Sequence, residues 1–133
     1  VTNQSPIGRG IWTSENLSSI RDRLRDLLLA DGANAHLDLM LYSPCAPWDG
    51  AWARKPNPGM LEAGRQIISA TENNINIKLK FDVEWKDRPD ESSSVMVGDR
   101  AVDMAAASNF GVRGLRCDPE IGLPNVMSDI LGV

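Results

Sequence analysis

Residues 95–104 read VMVGDRAVDM and carry the pattern that decides the fold. Their apolar start predicts a buried strand, and the glycine and aspartates that follow predict a turn into a helix. Asp99 and Asp103 are spaced i and i+4, so one helical turn brings their carboxylates together. Because hard divalent cations prefer carboxylate oxygens, this segment predicts a cation site at the end of a strand.

A second segment, RKPNPGM at residues 54–60, places a lysine ahead of two prolines and a glycine. The prolines restrict the backbone, so Lys55 is predicted to be a fixed positive charge at a helix entrance. A compact ammonium suits a transferring phosphoryl group, whose developing charge it offsets. Arg54 has the planar fork for a second phosphate or for sugar oxygens. Two solvated loop charges are the alternative, but the rigid backbone favours a binding role.

The chain opens with VTNQS at residues 1–5. Thr2 could offer its hydroxyl and backbone N–H to a phosphate oxygen, and Asn3, Gln4 and Ser5 add neutral donors. A polar turn at a strand end is the alternative interpretation. Beside the two other segments, a role in binding phosphate is favoured over a plain turn.

The remaining sequence alternates between helical and strand patterns. Helices are predicted from a Thr13 or Ser14 cap to Gly32 and at 59–71, 101–109 and 125–131, and strands at 37–42, 94–97 and 112–116. Residues 75–81 alternate apolar and polar side chains, which is compatible with a strand or hairpin, and 87–94 is typical of a solvated loop. This order predicts an α/β fold, a three-layer α/β/α sandwich around a parallel sheet, with ligands at the carboxyl ends of the strands.

Composition limits the classes of function. A chain of 133 residues with 42% hydrophobic residues predicts a single domain, 1–133. The formal net charge of −4 argues against a nucleic-acid partner, and no apolar run approaches the length of a membrane span. The two cysteines lack CxxC spacing, so they are predicted to be thiols of a reducing compartment, the cytoplasm or an organelle matrix.

The three segments resemble, in this order, the second, third and fourth motifs of the haloacid dehalogenase (HAD) superfamily of phosphatases. The text TNQSPIGRG, RKPNPGM and VGDRAVDM is most similar to the D-glycero-D-manno-heptose 1,7-bisphosphate phosphatase branch, which also resembles histidinol-phosphate phosphatase. The resemblance covers most of the chain, and residues 73–94 are interpreted as an insertion.

The resemblance implies a magnesium-dependent sugar-phosphate phosphomonoesterase that acts through an aspartyl-phosphate. It implies catalytic roles for Lys55 and Thr2, and Mg²⁺ binding by Asp99, with Asp103 orienting a metal-bound water or capping the loop. A first-turn acid that interacts with the helix dipole is the alternative for Asp103. The substrate-binding residues it implies are Asn3, Gln4, Ser5, Arg54 and Arg100.

The first motif of that family, an Asp-x-Asp sequence that holds the nucleophile, does not occur in these 133 residues. We therefore expect the sheet to lack its first strand and the nucleophile to lie outside the chain, through truncation, processing or evolutionary loss. We also expect the chain alone to be nearly inert and to expose two open strand edges, which a separate peptide or a protein partner would cover.

Relatives of the heptose branch often carry a Cys/His zinc cluster before the Arg-Lys-Pro segment. Only Cys45 occurs in that region here, and a closed structural zinc site needs four ligands, so we predict no zinc. Two other functions stay open. One is a catalytically inactive HAD-like subunit of a larger assembly, and the other, less favoured because of the acidic charge, is a nucleic-acid 3′-phosphatase.

Overall fold

The computed structural model describes all residues from Val1 to Val133. It is an α/β structure in which each strand pair is parallel, and this confirms the predicted class. Its strands are β1 (Thr2–Asn3), β2 (Tyr42–Ser43), β3 (Val95–Gly98) and β4 (Arg113–Arg116). Its helices are α1 (Ser5–Gly8), α2 (Ser14–Asp31), α3 (Gly59–Glu72), α4 (Ala101–Phe110) and α5 (Met127–Leu131). Short 3-10 turns occur at Pro47–Asp49, Asp82–Glu84 and Leu123–Val126.

The strands form two separate pairs instead of one sheet. Strand β1 pairs with β2, and β3 pairs with β4 in the register Val95 to Arg113 through Gly98 to Arg116. No strand has a second neighbour, so both strands of each pair keep one unpaired edge. Between the pairs lies a mainly apolar groove of about 290 Å³, lined by side chains that include Leu41, Leu61 and Val95.

Three predicted elements differ from the structure. The strand predicted at 37–42 is limited to Tyr42–Ser43, because its partner β1 is itself only two residues long. The final helix, predicted at 125–131, starts as the 3-10 turn and becomes α-helical only at Met127.

The third difference is that residues 75–81 form no strand. The reason lies in Gln66 on α3, which takes the backbone groups that a partner strand would take. Its Nε2 donates to the carbonyl of Lys80 at 2.8 Å, and its Oε1 accepts from the Lys80 N–H at 3.0 Å.

Helix α2 has the expected start and end. The Thr13 hydroxyl accepts from the N–H of Asn16, the Asn16 side chain accepts from the N–H of Thr13, and Gly32 caps the other end of the helix. Its apolar stripe is poorly covered, however, because Leu17 is its one buried residue while Leu24 and Leu27 stay exposed. None of the helices is both long and apolar enough to cross a membrane.

The best-packed part of the molecule lies where α4 covers β3 and β4. Met96, Ala106 and Ala107 are buried together, and Leu61 and Val112 pack against them. The alanines let the helix approach the strands closely, which holds the β3–α4 turn in place. Asp99 lies in that turn, and Asp103 lies in the first turn of α4 directly after it.

Candidate functional site

The ion pair between Lys55 and Asp103 joins the two principal segments. The Lys55 Nζ lies 2.5 Å from Asp103 Oδ1, and the side chains are only 11% and 6% exposed. The same ammonium donates to the carbonyl oxygen of Val1 at 3.2 Å. The tertiary fold therefore places a largely buried positive charge beside the carboxyl end of β3.

The environment of this lysine is partly dehydrated. Both side chains of the Lys55–Asp103 pair are largely hidden from water. Charge–charge interactions are stronger where water is displaced, so the Lys55 ammonium acts there on a nearby anion more strongly than an exposed lysine would.

Asp103 also caps the helix that carries it. It lies in the first turn of α4, and its Oδ2 accepts from the Arg100 N–H at 3.1 Å. Gly98 makes this possible, because a Cβ at that position would lie only 2.4 Å from the Asp103 Cβ. The predicted capping contact is therefore present, and the second oxygen is engaged by Lys55.

The VTNQS segment meets the Arg-Lys-Pro segment through Asn3. The Asn3 Nδ2 donates to the carbonyl of Lys55 at 3.1 Å, and its Oδ1 accepts from the Lys55 N–H at 3.1 Å. From the other side, Asn109 donates to the carbonyl of Pro56 at 3.0 Å. The backbone around Lys55 is thus held by amide side chains from two distant segments.

The other residues of the opening segment bond mainly to one another and to β2. Gln4 Nε2 donates to the Thr2 hydroxyl at 2.9 Å, and the Gln4 N–H donates to the carbonyl of Ser43 at 2.7 Å. Ser5 begins α1. These contacts fix the segment next to Lys55, and all four of its predicted site residues are partly accessible.

The two predicted arginines differ in their surroundings. Arg54 is partly buried, and its Nη1 donates to the carbonyl of Cys45 at 2.8 Å, which anchors its guanidinium to the loop after β2. Arg100 is exposed at the start of α4. Only Arg54 has its guanidinium held by a bond inside the chain.

The two predicted metal ligands are not equivalent. Asp99 is exposed, and the chain forms no hydrogen bond or ion pair with its carboxylate, whereas both oxygens of Asp103 are engaged. No group of three or more His, Cys, Asp or Glu side chains gathers at metal-binding distance. Mg²⁺ accepts one or two carboxylates with waters and phosphate oxygens, so Asp99 fits as a single direct ligand.

The sequence motifs did not indicate that Asn3 holds Lys55 or that Glu62 and Gln66 are the buried polar residues of α3. The helical pattern had placed Met60, Leu61, Ile67 and Ile68 inward, yet Glu62 is fully buried. The hydrogen-bond partners of Glu62 lie 10 to 26 residues away in the sequence, so the local spacing of residues does not indicate them.

Comparison with known proteins shows which proteins this chain is similar to. Residues 52–117 match the model of the HAD-hydrolase-like family. A D-glycero-beta-D-manno-heptose-1,7-bisphosphate 7-phosphatase of Yersinia pestis is 36% identical over 125 residues, which cover 86% of this chain and 55% of that protein. The Pseudomonas aeruginosa enzyme of the same name is 44% identical over 66 residues, 50% of this chain and 34% of that protein.

Among solved structures, a D,D-heptose 1,7-bisphosphate phosphatase from B. bronchiseptica, complexed with magnesium and phosphate, superposes with a TM-score of 0.64 at 24% identity. The match covers 98% of this chain and 71% of that one. The fold is therefore that of the HAD-like hydrolases, and residues 52–117 match the HAD-hydrolase-like family model. The matching relatives are heptose bisphosphate phosphatases, and the match spans 55% of the length of the Yersinia protein and 34% of the Pseudomonas one.

Proposed function

We propose that this chain provides the phosphate-holding and cation-binding part of a phosphatase that hydrolyses a phosphorylated sugar of the heptose bisphosphate kind. The observation that carries the proposal is the largely buried Lys55 ammonium, paired with Asp103 and held at its backbone by Asn3. The names of the relatives support the substrate class.

In this mechanism the Lys55 ammonium holds an oxygen of the transferring phosphoryl group and offsets the charge that develops in the transition state. Asp103 keeps the ammonium oriented by its 2.5 Å contact and caps α4 at the same time. Thr2 offers its hydroxyl to a second phosphate oxygen, with Asn3, Gln4 and Ser5 beside it. Its N–H, which the sequence had assigned to the same task, already donates to the carbonyl of Leu41 at 3.0 Å. Arg54 and Arg100 contact the sugar or its second phosphate.

A bound Mg²⁺ would neutralise phosphate charge and polarise the phosphorus–oxygen bonds. Asp99 is the residue of this chain that would hold it directly, because its carboxylate is exposed and unengaged. The role of Asp103 towards the cation is indirect, through the orientation of Lys55 and the turn. An aspartate nucleophile from outside residues 1–133 forms the aspartyl-phosphate, and a second one protonates the leaving group and activates water.

The groove between the strand pairs would be filled by one further parallel β-strand supplied by polypeptide outside residues 1–133. An extended apolar strand fits it because both flanking pairs have an unpaired edge and the lining includes Leu41, Leu61, Val95 and Phe110. Such a strand would bury both edges, join the pairs into one sheet, and end near Lys55.

The test is phosphate release by the natural protein that contains these residues. With Mg²⁺, heptose 1,7-bisphosphate should be hydrolysed faster than a generic phosphomonoester. Lys55→Ala should lower kcat/KM by about 10²- to 10³-fold, as for removal of a donor that stabilises transition-state charge. Asp99→Ala should raise the Mg²⁺ concentration needed for activity. Arg23→Ala, which removes an exposed cation of α2, is the control and should change neither kcat/KM nor the Mg²⁺ requirement.

A catalytically inactive HAD-like subunit is the second candidate. It is favoured because no Asp-x-Asp motif, which would hold the nucleophile, occurs within these 133 residues. If the natural protein releases no phosphate from either substrate and is isolated in a stable complex, this second function replaces the first.

A further inference from the structure

Glu62, on the first turns of α3, is a fully buried carboxylate outside the predicted site. A buried charge is costly unless donors surround it. Here the Trp52 Nε1 donates to Oε2 at 2.7 Å, the Asp82 N–H lies 3.2 Å from both oxygens, and the Arg88 guanidinium donates to Oε1. All three donors come from outside α3, so Glu62 joins separate parts of the chain.

Trp52 connects this carboxylate to the Lys55 segment. The Trp52 carbonyl accepts from the N–H of Gly59 at 3.1 Å, which closes a loop that contains Arg54 and Lys55. The closure is tight, because a Cβ at Gly59 would lie 2.5 Å from that carbonyl oxygen. One end of the loop is therefore fixed by a backbone bond, and the indole on that end is fixed by Glu62.

Arg88 and Asp82 connect the same carboxylate to residues 78–91, which we call the strap. The strap is also held by Gln66 through Lys80, and by an ion pair of 2.9 Å between Arg65 and Glu91. Arg88 lies over the Trp85 ring at 4.8 Å. The strap is thus bound along one side of α3, and Glu62 is the point where it meets the Lys55 loop.

We propose that Glu62 is a positioning residue that holds the Arg54–Lys55 loop through Trp52 and couples the order of that loop to attachment of the strap. The effect of Glu62 on catalysis rests on the proposed function, in which Lys55 contacts phosphate. The coupling between the Arg54–Lys55 loop and the strap does not, because it is a property of the fold. The strap thereby becomes part of the support of the site.

The experiment uses the full natural protein and hydrogen exchange, which needs no activity. Trp52→Phe removes the indole N–H and keeps an aromatic ring. Glu62→Gln removes the charge that faces Arg88. In both variants, exchange of the Lys55 and Gly59 amides should rise about tenfold while the amides of α4 keep their protection. Trp48→Phe and Glu72→Gln are matched controls at exposed positions of the preceding loop and of α3, and should leave exchange unchanged.

Coupling is tested by Arg88→Met, which leaves Trp52 in place. It should raise exchange of the strap and also of the Lys55 and Gly59 amides. Unchanged exchange at those two amides in Trp52→Phe and Glu62→Gln would overturn the positioning role. A uniform rise that includes α4 would do the same, because Glu62 would then only stabilise the fold.

Where the protein releases phosphate, a second readout applies. Trp52→Phe should lower kcat about tenfold in the natural protein and should cost nothing further in a Lys55→Ala background, because its effect passes through Lys55. Equal losses in both backgrounds would overturn the proposal. If no phosphate is released, the proposed function fails, and hydrogen exchange alone still decides the role of Glu62.

Discussion

Asp103 shows how one carboxylate can serve a helix and a site together. Its two oxygens face in different directions, one to the N–H of Arg100 and one to the Lys55 ammonium. Breaking a buried pair by removing one partner leaves an uncompensated charge, which typically costs about 3–5 kcal/mol. The position of Lys55 is therefore tied to the stability of the turn after β3.

Gly98→Ala is expected to disturb this pair without removing either charge. The new Cβ would lie within 2.6 Å of the Asp103 Cβ and Cγ, which are too near the backbone to rotate away. We expect a destabilisation of about 1–3 kcal/mol, typical of overpacking, and a fall in any phosphate release. The destabilisation is measured from the midpoint of denaturant-induced unfolding.

The control for this substitution is Gly32→Ala. A Cβ at Gly32 meets nothing closer than 3.7 Å, and its backbone is extended, with φ −158°. The unfolding free energy of the Gly32→Ala variant should therefore differ little from that of the parent protein. Equal losses for the two variants would show that the close approach of Gly98 to Asp103 is not the cause.

At the scale of elements, the 73–94 segment is bound more firmly than its polar composition suggests. Trp85 is 8% exposed and stacks on Phe110 of α4 with ring centroids 6.2 Å apart. Together with the contacts to α3, this stacking makes the segment bridge two helices. Whether it is an insertion relative to the family stays a prediction, but its attachment is a feature of the fold.

Trp85→Ala should release this segment from α4. Truncating a buried tryptophan typically costs about 3–5 kcal/mol, and here the loss should fall first on the strap, since α4 keeps its packing on β3 and β4. Limited proteolysis should cut within residues 75–91 faster than in the parent protein. Trp48→Ala, at a side chain 73% exposed, should leave the cleavage rate unchanged, and similar rates for both variants would argue against the bridge.

At the scale of the whole molecule, the 133 residues bury little for their size. Only 15 residues are buried, and large apolar side chains such as Ile11, Val83 and Leu131 are exposed. A domain of this length normally hides most of its apolar surface. Further apolar surface lines the groove between the two strand pairs, whose strands also keep unpaired edges.

We therefore expect residues 1–133, prepared alone, to aggregate or to behave as a molten species, because open edges and exposed apolar surface favour association. Near-UV circular dichroism, dye binding and calorimetry would measure this. A longer polypeptide that supplies the missing strand should unfold cooperatively. A sharp, cooperative thermal transition of the isolated monomer would contradict the prediction.

The sequence alone determined the class of fold and the positions of α2, α3, α4, β3 and β4 to within a residue or two, because their periodicity and their cap and turn residues are local signals. It also indicated the three segments that form the candidate site. Only the tertiary structure decided that Asn3 holds Lys55, that Asp103 pairs with it, and that Glu62 anchors Trp52. The tertiary structure also decided that β2 is short, because β1 offers it only two residues, and that 75–81 forms no strand, because Gln66 binds the backbone of Lys80. These contacts depend on how distant segments meet in space, and spacing along the chain does not encode that.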